Sequence, residues 1–122
     1  MDSISRSGIF KIVLFIYLIT LMEYLLILSQ LFIDDCINCK IIVAPCDGSV
    51  MIRTSKNCSI SIVAKQLRFR DCENIQIFSY IESEPVVESC SEIHFGPYNA
   101  YLPAQEELFT KANFTPSIKP YK

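Results

Sequence analysis

The sequence predicts an all-β fold, a short parallel β-helix of about four coils. Its first support is an internal repeat. The segments "IDDCINCKIIV", "IRTSKNCSISI", "FRDCENIQIFS" and "VESCSEIHFGP" begin at Ile33, Ile52, Phe69 and Val87, spacings of 19, 17 and 18 residues. The second is alternation: within each copy apolar and polar residues alternate at period two, as in half-buried strands. The third is cysteine. Position four is Cys36, Ser55, Cys72 and Cys90, and position seven opens with Cys39 and Cys58. Free cysteine behaves as a small hydrophobe and fits an inward ladder at a corner. A unit this short cannot bury its own apolar side, but stacked units bury a continuous core.

Residues 1–32 form the first region. From Ile9 to Ile33, 20 of 25 residues are apolar, and the five exceptions do not gather on one face of a helix. A helix here would be hydrophobic nearly all round, and its length suits a bilayer. Three readings stay open for it: a membrane span through residues 9–33, a cap on the β-helix, or residues added by a wrong gene boundary. Arg6 and Lys11 before the run, with Asp34 and Asp35 after it, would orient a span with its N-terminus in the cytoplasm. That would put the repeats outside, so a cytosolic β-helix is preferred. Residues 33–104 carry the coils, with Asn38, Asn57, Asn74 and Glu92 at the polar turn position six. "FGPYNAYLP" ends the strand pattern. Residues 105–122 read as a short amphipathic helix, "AQEELFTKANF" spanning the boundary, and a loose tail.

Composition removes several function classes. A net charge of −2 without a basic stripe argues against nucleic-acid binding. Neither G-x-x-x-x-G-K-[ST] nor G-x-G-x-x-G occurs. "CINC" is half a zinc pattern without a second half, so no metal is expected, and reduced core cysteines point to a reducing compartment. "NCS" at Asn57 and "NFT" at Asn113 read as accidental glycosylation matches. His94 falls on the outer face with no nucleophile in register. "CDGS" reads as a turn, and Glu82, Glu84 and Glu88 as a solvated face.

"QLRFRDC", residues 66–72, is more informative. Alternation turns Leu67 and Phe69 inward, so Gln66, Arg68 and Arg70 share the outer face. The repeat register sets Arg70 between Arg53 and Glu88, and an Arg70–Glu88 surface pair is expected, worth at most about 1 kcal/mol. Arg68 falls between Met51 and Val86, with no carboxylate in its own column.

The coils, "KQLRFRDC" and "EPVVESCSEIHFGPYNAYLP" resemble the tubulin-binding cofactor C domain family over roughly residues 31–104, and are most similar to its X-linked retinitis pigmentosa branch. The resemblance implies a right-handed parallel β-helix. It also implies a GTPase-activating protein or regulator that donates an arginine finger in trans to an Arf-like small GTPase or to tubulin. On that basis Arg68 would be the finger. Gln66, Arg70, Glu88 and Phe114 would contact the GTPase, and the chain would need no cofactor of its own, GTP and Mg²⁺ belonging to the partner. A bidentate guanidinium suits the charge that develops on the γ-phosphoryl oxygens. The implied setting is the cytoplasm, at a membrane or at the cilium and basal body. The alternative is a non-catalytic β-helix scaffold in tubulin folding or ciliary trafficking. Two departures stand out: Lys65 replaces a glutamine often found before Gln66, and "MDSISRSG" lacks the Met-Gly start of N-myristoylation.

Overall fold

The computed structural model of the chain describes residues 2–5, 11–13, 29–43, 45–99, 110 and 114. Its strands are β1 (Asp2–Ser5), β2 (Lys11–Val13), β3 (Gln30–Asp34), β4 (Cys39–Ile42), β5 (Cys46–Arg53), β6 (Lys56–Arg70), β7 (Glu73–Ile81), β8 (Val86–Glu88) and β9 (Ser91–Pro97). Every pairing is parallel. One face stacks β1, β3, β5, the C-terminal part of β6, and β8. The other stacks β2, β4, the N-terminal part of β6, β7 and β9. This is the parallel β-helix that the repeat predicts.

Each corner carries two residues in the left-handed region, at repeat positions three and six. They are Asp35, Thr54, Asp71 and Ser89, then Asn38, Asn57, Asn74 and Glu92, with φ between 50° and 56°. Asn and Asp tolerate that conformation because their short side chains bond locally. Between them the corner backbone is satisfied from coil to coil. Asp35 N donates to Arg53 O at 3.1 Å, Thr54 N to Arg70 O at 2.9 Å, and Asp71 N to Glu88 O at 3.2 Å. Position four turns in under this corner, where Cys36, Ser55 and Cys72 are buried. Ser55 shows why a small polar residue fits: its hydroxyl donates to Arg53 O at 2.9 Å and accepts from Cys36 N at 3.2 Å. None of the six cysteines forms a disulfide.

The core is one continuous column containing Leu31, Ile33, Ile41, Val50, Ile52, Ile60, Ile62, Leu67, Phe69, Ile75 and Ile77. Gly48, within "CDGS", marks a register shift between Cys46 and Ser49. A Cβ there would lie 1.9 Å from the backbone oxygen of Ser29, so only glycine lets the two segments approach.

The structure differs from expectation at the N-terminal end. Within residues 1–32, where a hydrophobic helix is expected, Asp2–Ser5 and Lys11–Val13 are strands. Both continue the stack, β1 on β3 and β2 on β4, and so give an exposed edge its backbone partners. The coils thus begin before Ile33, with Gln30 already paired to Ser49. Residues 14–28, which hold most of the apolar run, lie outside the described residues. So does the expected C-terminal helix and tail, apart from Thr110 and Phe114. No helix among the described residues is long and apolar enough to cross a membrane.

Candidate functional site

On the outer side of the face built by β3, β5, β6 and β8, the pleat sorts side chains into three columns. Gln30, Ser49 and Gln66 form the first, Phe32, Met51, Arg68 and Val86 the second, and Asp34, Arg53, Arg70 and Glu88 the third. Register therefore places Arg68 between Met51 and Val86 and Arg70 between Arg53 and Glu88, as the repeat predicts.

The third column runs acid, base, base, acid through four coils. Arg53 is held by Asp34 in a two-pronged contact, Nε to Oδ1 at 2.7 Å and an Nη to Oδ2 at 2.8 Å. Its guanidinium also lies 4.6 Å from the centre of the Phe32 ring. The hydrogen bond to Asp34 pushes the Arg53 pKa up, against a small opposing effect of burial. The expected Arg70–Glu88 ion pair is not made. The ion pairs among the described residues are Arg53–Asp34, Lys56–Glu73 and Lys65–Glu82. Arg70 and Glu88 are in register, but both are exposed. Joining two solvated side chains gains little against the entropy of fixing them.

Arg68 is exposed, and among the described residues it makes no ion pair or side-chain hydrogen bond. It closes a groove of about 320 Å³ whose wall includes Gln30, Phe32, Ser49, Met51 and Gln66. The lining combines two amides and a hydroxyl with the apolar side chains of Phe32 and Met51, and Arg68 is its one charged residue. Phe32 and Gln30 were missed by the sequence reading, although one further step of the same register would have reached them. A second groove of about 300 Å³ lies at the corner between Asp34, Asp35, Arg53, Thr54, Arg70 and Asp71.

The other site candidates fall as follows. Gln66 is partly buried beside Lys65. Phe114 is only 5% exposed. Its ring lies beneath the Lys65 ammonium, 3.7 Å from centroid to Nζ, and meets Tyr80 edge-on at 6.1 Å. Glu82, Glu84, Glu88 and His94 are exposed, and Glu82 is engaged by Lys65 at 3.4 Å. Among the described residues no group of three or more His, Cys, Asp or Glu side chains could hold a metal ion.

Comparison with known proteins gives one consistent answer. The sequence model of the family described as Tubulin binding cofactor C matches residues 15–122. Tubulin-specific chaperone C of Dictyostelium discoideum is 34% identical over 80 residues, 65% of this chain and 19% of that protein. Protein XRP2 of Homo sapiens is 39% identical over 106 residues, 71% of this chain and 30% of that protein. The chain therefore spans less than a third of the length of these curated relatives. Among solved structures, Tubulin Binding Cofactor C from Leishmania major superposes with a TM-score of 0.57 at 33% identity, covering 57% of this chain and 42% of that one.

Proposed function

The chain belongs to the Tubulin binding cofactor C family, and from that premise we propose that it accelerates GTP hydrolysis on a partner, an Arf-like small GTPase or tubulin, by inserting Arg68 into the partner's nucleotide site. One observation carries the reading. On a face where Arg53 is tied down by Asp34, Arg68 is exposed, bears its charge between the apolar side chains of Met51 and Val86, and is engaged by no described residue. A cation so placed is available to bridge phosphate oxygens as charge builds on them. Gln66 flanks it, while Arg70 and Glu88 form the rim, and GTP and Mg²⁺ are supplied by the partner. Phe114, being buried, serves this reading as a support beneath Lys65 rather than as a contact surface. The free thiols support action in the reducing cytoplasm.

The names of the chaperone relatives support tubulin as the partner, and the similarity to the XRP2 proteins, read with the family resemblance, supports a small GTPase. The test is single-turnover GTP hydrolysis by a panel of Arf-like GTPases and by tubulin, with wild type and Arg68→Ala. Stimulation by wild type alone is the expected result. Equal stimulation by both proteins would overturn the role of Arg68. Binding that survives Arg68→Ala without any stimulation would identify a scaffold.

A further inference from the structure

Lys65 is the residue before Gln66, and Glu82, Ser83 and Phe114 meet on it. Its ammonium lies 3.4 Å from Glu82 Oε2 and 3.7 Å from the centre of the Phe114 ring. Its backbone oxygen accepts two hydrogen bonds from Ser83, from the amide at 3.2 Å and from the hydroxyl at 3.0 Å. The Phe114 ring is in turn braced edge-on by Tyr80 at the end of β7. Three-quarters of the Lys65 side chain is buried by these contacts, its exposure being 25%.

What this cluster holds is the connection into β8. From Ser83 to Val86 the chain advances three residues, and from Lys65 to Arg68 it advances the same three. Ser83 hydrogen-bonds to Lys65, and Val86 pairs with Arg68. The Lys65–Ser83 contact is therefore the rung on which the Arg68–Val86 register begins. β8 has few other means of support. It is three residues long, all exposed, and among the described residues its paired strand is β6 alone. A three-residue edge strand at the end of a stack is the part of such a fold that opens first.

We propose that Lys65 is a positioning residue for Arg68. Its side chain clamps Glu82 and the Phe114 ring, and so steadies the segment whose Ser83 is bonded to the Lys65 backbone oxygen. This fixes β8 as one wall of the Arg68 column and with it the direction in which the guanidinium leaves the strand. The cation itself matters, because only a cation satisfies the carboxylate and the ring face together. Arginine can do the same, and methionine keeps the stem and the apolar contact but not the charge. The inference rests on the reading of Arg68 given above, and its test separates the two.

The test combines two measurements on the full chain for wild type, Lys65→Met, Lys65→Arg and Arg68→Ala. One is single-turnover GTP hydrolysis by the responsive GTPase across a range of activator concentrations. The other is ¹⁵N relaxation of the Arg68 Nε–H in the free protein, which needs no partner. Lys65→Met is expected to lower the saturating rate by about 10-fold to 100-fold, as a misplaced catalytic group does, with little change in the half-saturating concentration. It should also lower the Arg68 Nε–H order parameter, and Lys65→Arg should restore both. If Arg68→Ala abolishes stimulation while Lys65→Met changes neither readout, the inference fails and the Arg68 reading stands. If Arg68→Ala has no effect on the rate, the Arg68 reading fails and the relaxation data alone decide whether Lys65 orders that side chain. A Lys65→Met effect confined to the half-saturating concentration would make Lys65 a partner contact and overturn the proposal.

Discussion

Arg53, Arg68 and Arg70 share one sheet face, and alanine at each in turn asks whether rate and stability are carried by different members of the trio. Arg53 loses most in the folded state. It has a bidentate contact to Asp34 at 2.7 and 2.8 Å, with side chains 38% and 22% exposed, and a ring contact at 4.6 Å. A good surface pair is worth about 1 kcal/mol and an exposed cation–π contact about 0.5 kcal/mol more, so Arg53→Ala should cost about 1–2 kcal/mol. Arg68 has no described partner to lose, and Arg68→Ala should stay within about 0.5 kcal/mol of wild type. Arg70→Ala should be equally mild, since it also relieves the like-charge register with Arg53. The rate should follow the opposite order. A finger supplied in trans is worth about 10³–10⁵ in hydrolysis, or about 4–7 kcal/mol of barrier, and only Arg68→Ala should remove it. Urea denaturation with an unchanged m-value gives the first quantity, and single-turnover hydrolysis the second. An Arg68→Ala loss of more than about 1 kcal/mol in stability would show a structural arginine. Loss of stimulation in Arg53→Ala equal to that in Arg68→Ala would show that the face acts as a diffuse charge. Either result refutes the reasoning.

Four further outcomes follow from the same geometry. Met51→Glu puts a carboxylate in register with Arg68, about 4.8 Å away; freeing the arginine would then cost up to about 1 kcal/mol, so stimulation should fall about 5-fold with the fold intact. Phe69 is 1% exposed and meets Phe95 edge-on at 5.9 Å, so Phe69→Ala should cost about 3–5 kcal/mol in the urea midpoint, and a loss under about 1 kcal/mol would deny the packing of the last coil. Thr54 is a β-branched residue at φ 50°, where its counterparts include Asp35 and Asp71, so Thr54→Asn should stabilise by up to about 1 kcal/mol, and a lower midpoint would refute strain at that corner. Burial, then Asp47, pushes Cys46 from 9.0 up to about 12, and burial also raises Cys58 and Cys72. Above about pH 9 the unfolded thiols release protons that the folded ones keep, so the urea midpoint should hold below pH 9 and fall towards pH 12, less steeply in Cys46→Ala. A midpoint that stays flat to about pH 11 would contradict the burial.

The repeat made most of this fold legible. Inward positions one, four, seven and nine are buried in the first three aligned segments, whereas in the fourth Val87 and Phe95 are exposed with no further coil described over them. The same register sets Met51 and Val86 beside Arg68. Sequence reasoning failed where the interaction was not periodic. Nothing in the spacing tells that Lys65 would reach Phe114, 49 positions later, because that contact depends on where the chain returns after the last coil. The Arg70–Glu88 pair failed for a different reason. Register brings two strands together, but it does not make two solvated side chains meet at their tips. At the other end, Lys11–Val13 lies within the apolar run that reads as helix and Asp2–Ser5 just before it, while the open edges of β3 and β4 supplied the partners that make strands of them.

Stacking also explains why a parallel β-helix can leave one arginine without a counter-charge in its column. Each outward position recurs about 4.8 Å away in the next coil, so any charge acquires a fixed neighbour whose identity the repeat controls. In the third column this produces two adjacent arginines, Arg53 and Arg70, whose mutual repulsion is framed by Asp34 and Glu88 at either end. In the second column the neighbours of Arg68 are Met51 and Val86, which offer a guanidinium neither a counter-charge nor a ring face. The same spacing that ties Arg53 to Asp34 therefore leaves Arg68 without a counter-charge two residues along the strand. Within "QLRFRDC" neither arginine is ion-paired, and what separates them is the register: Arg70 lies between Arg53 and Glu88, Arg68 between Met51 and Val86.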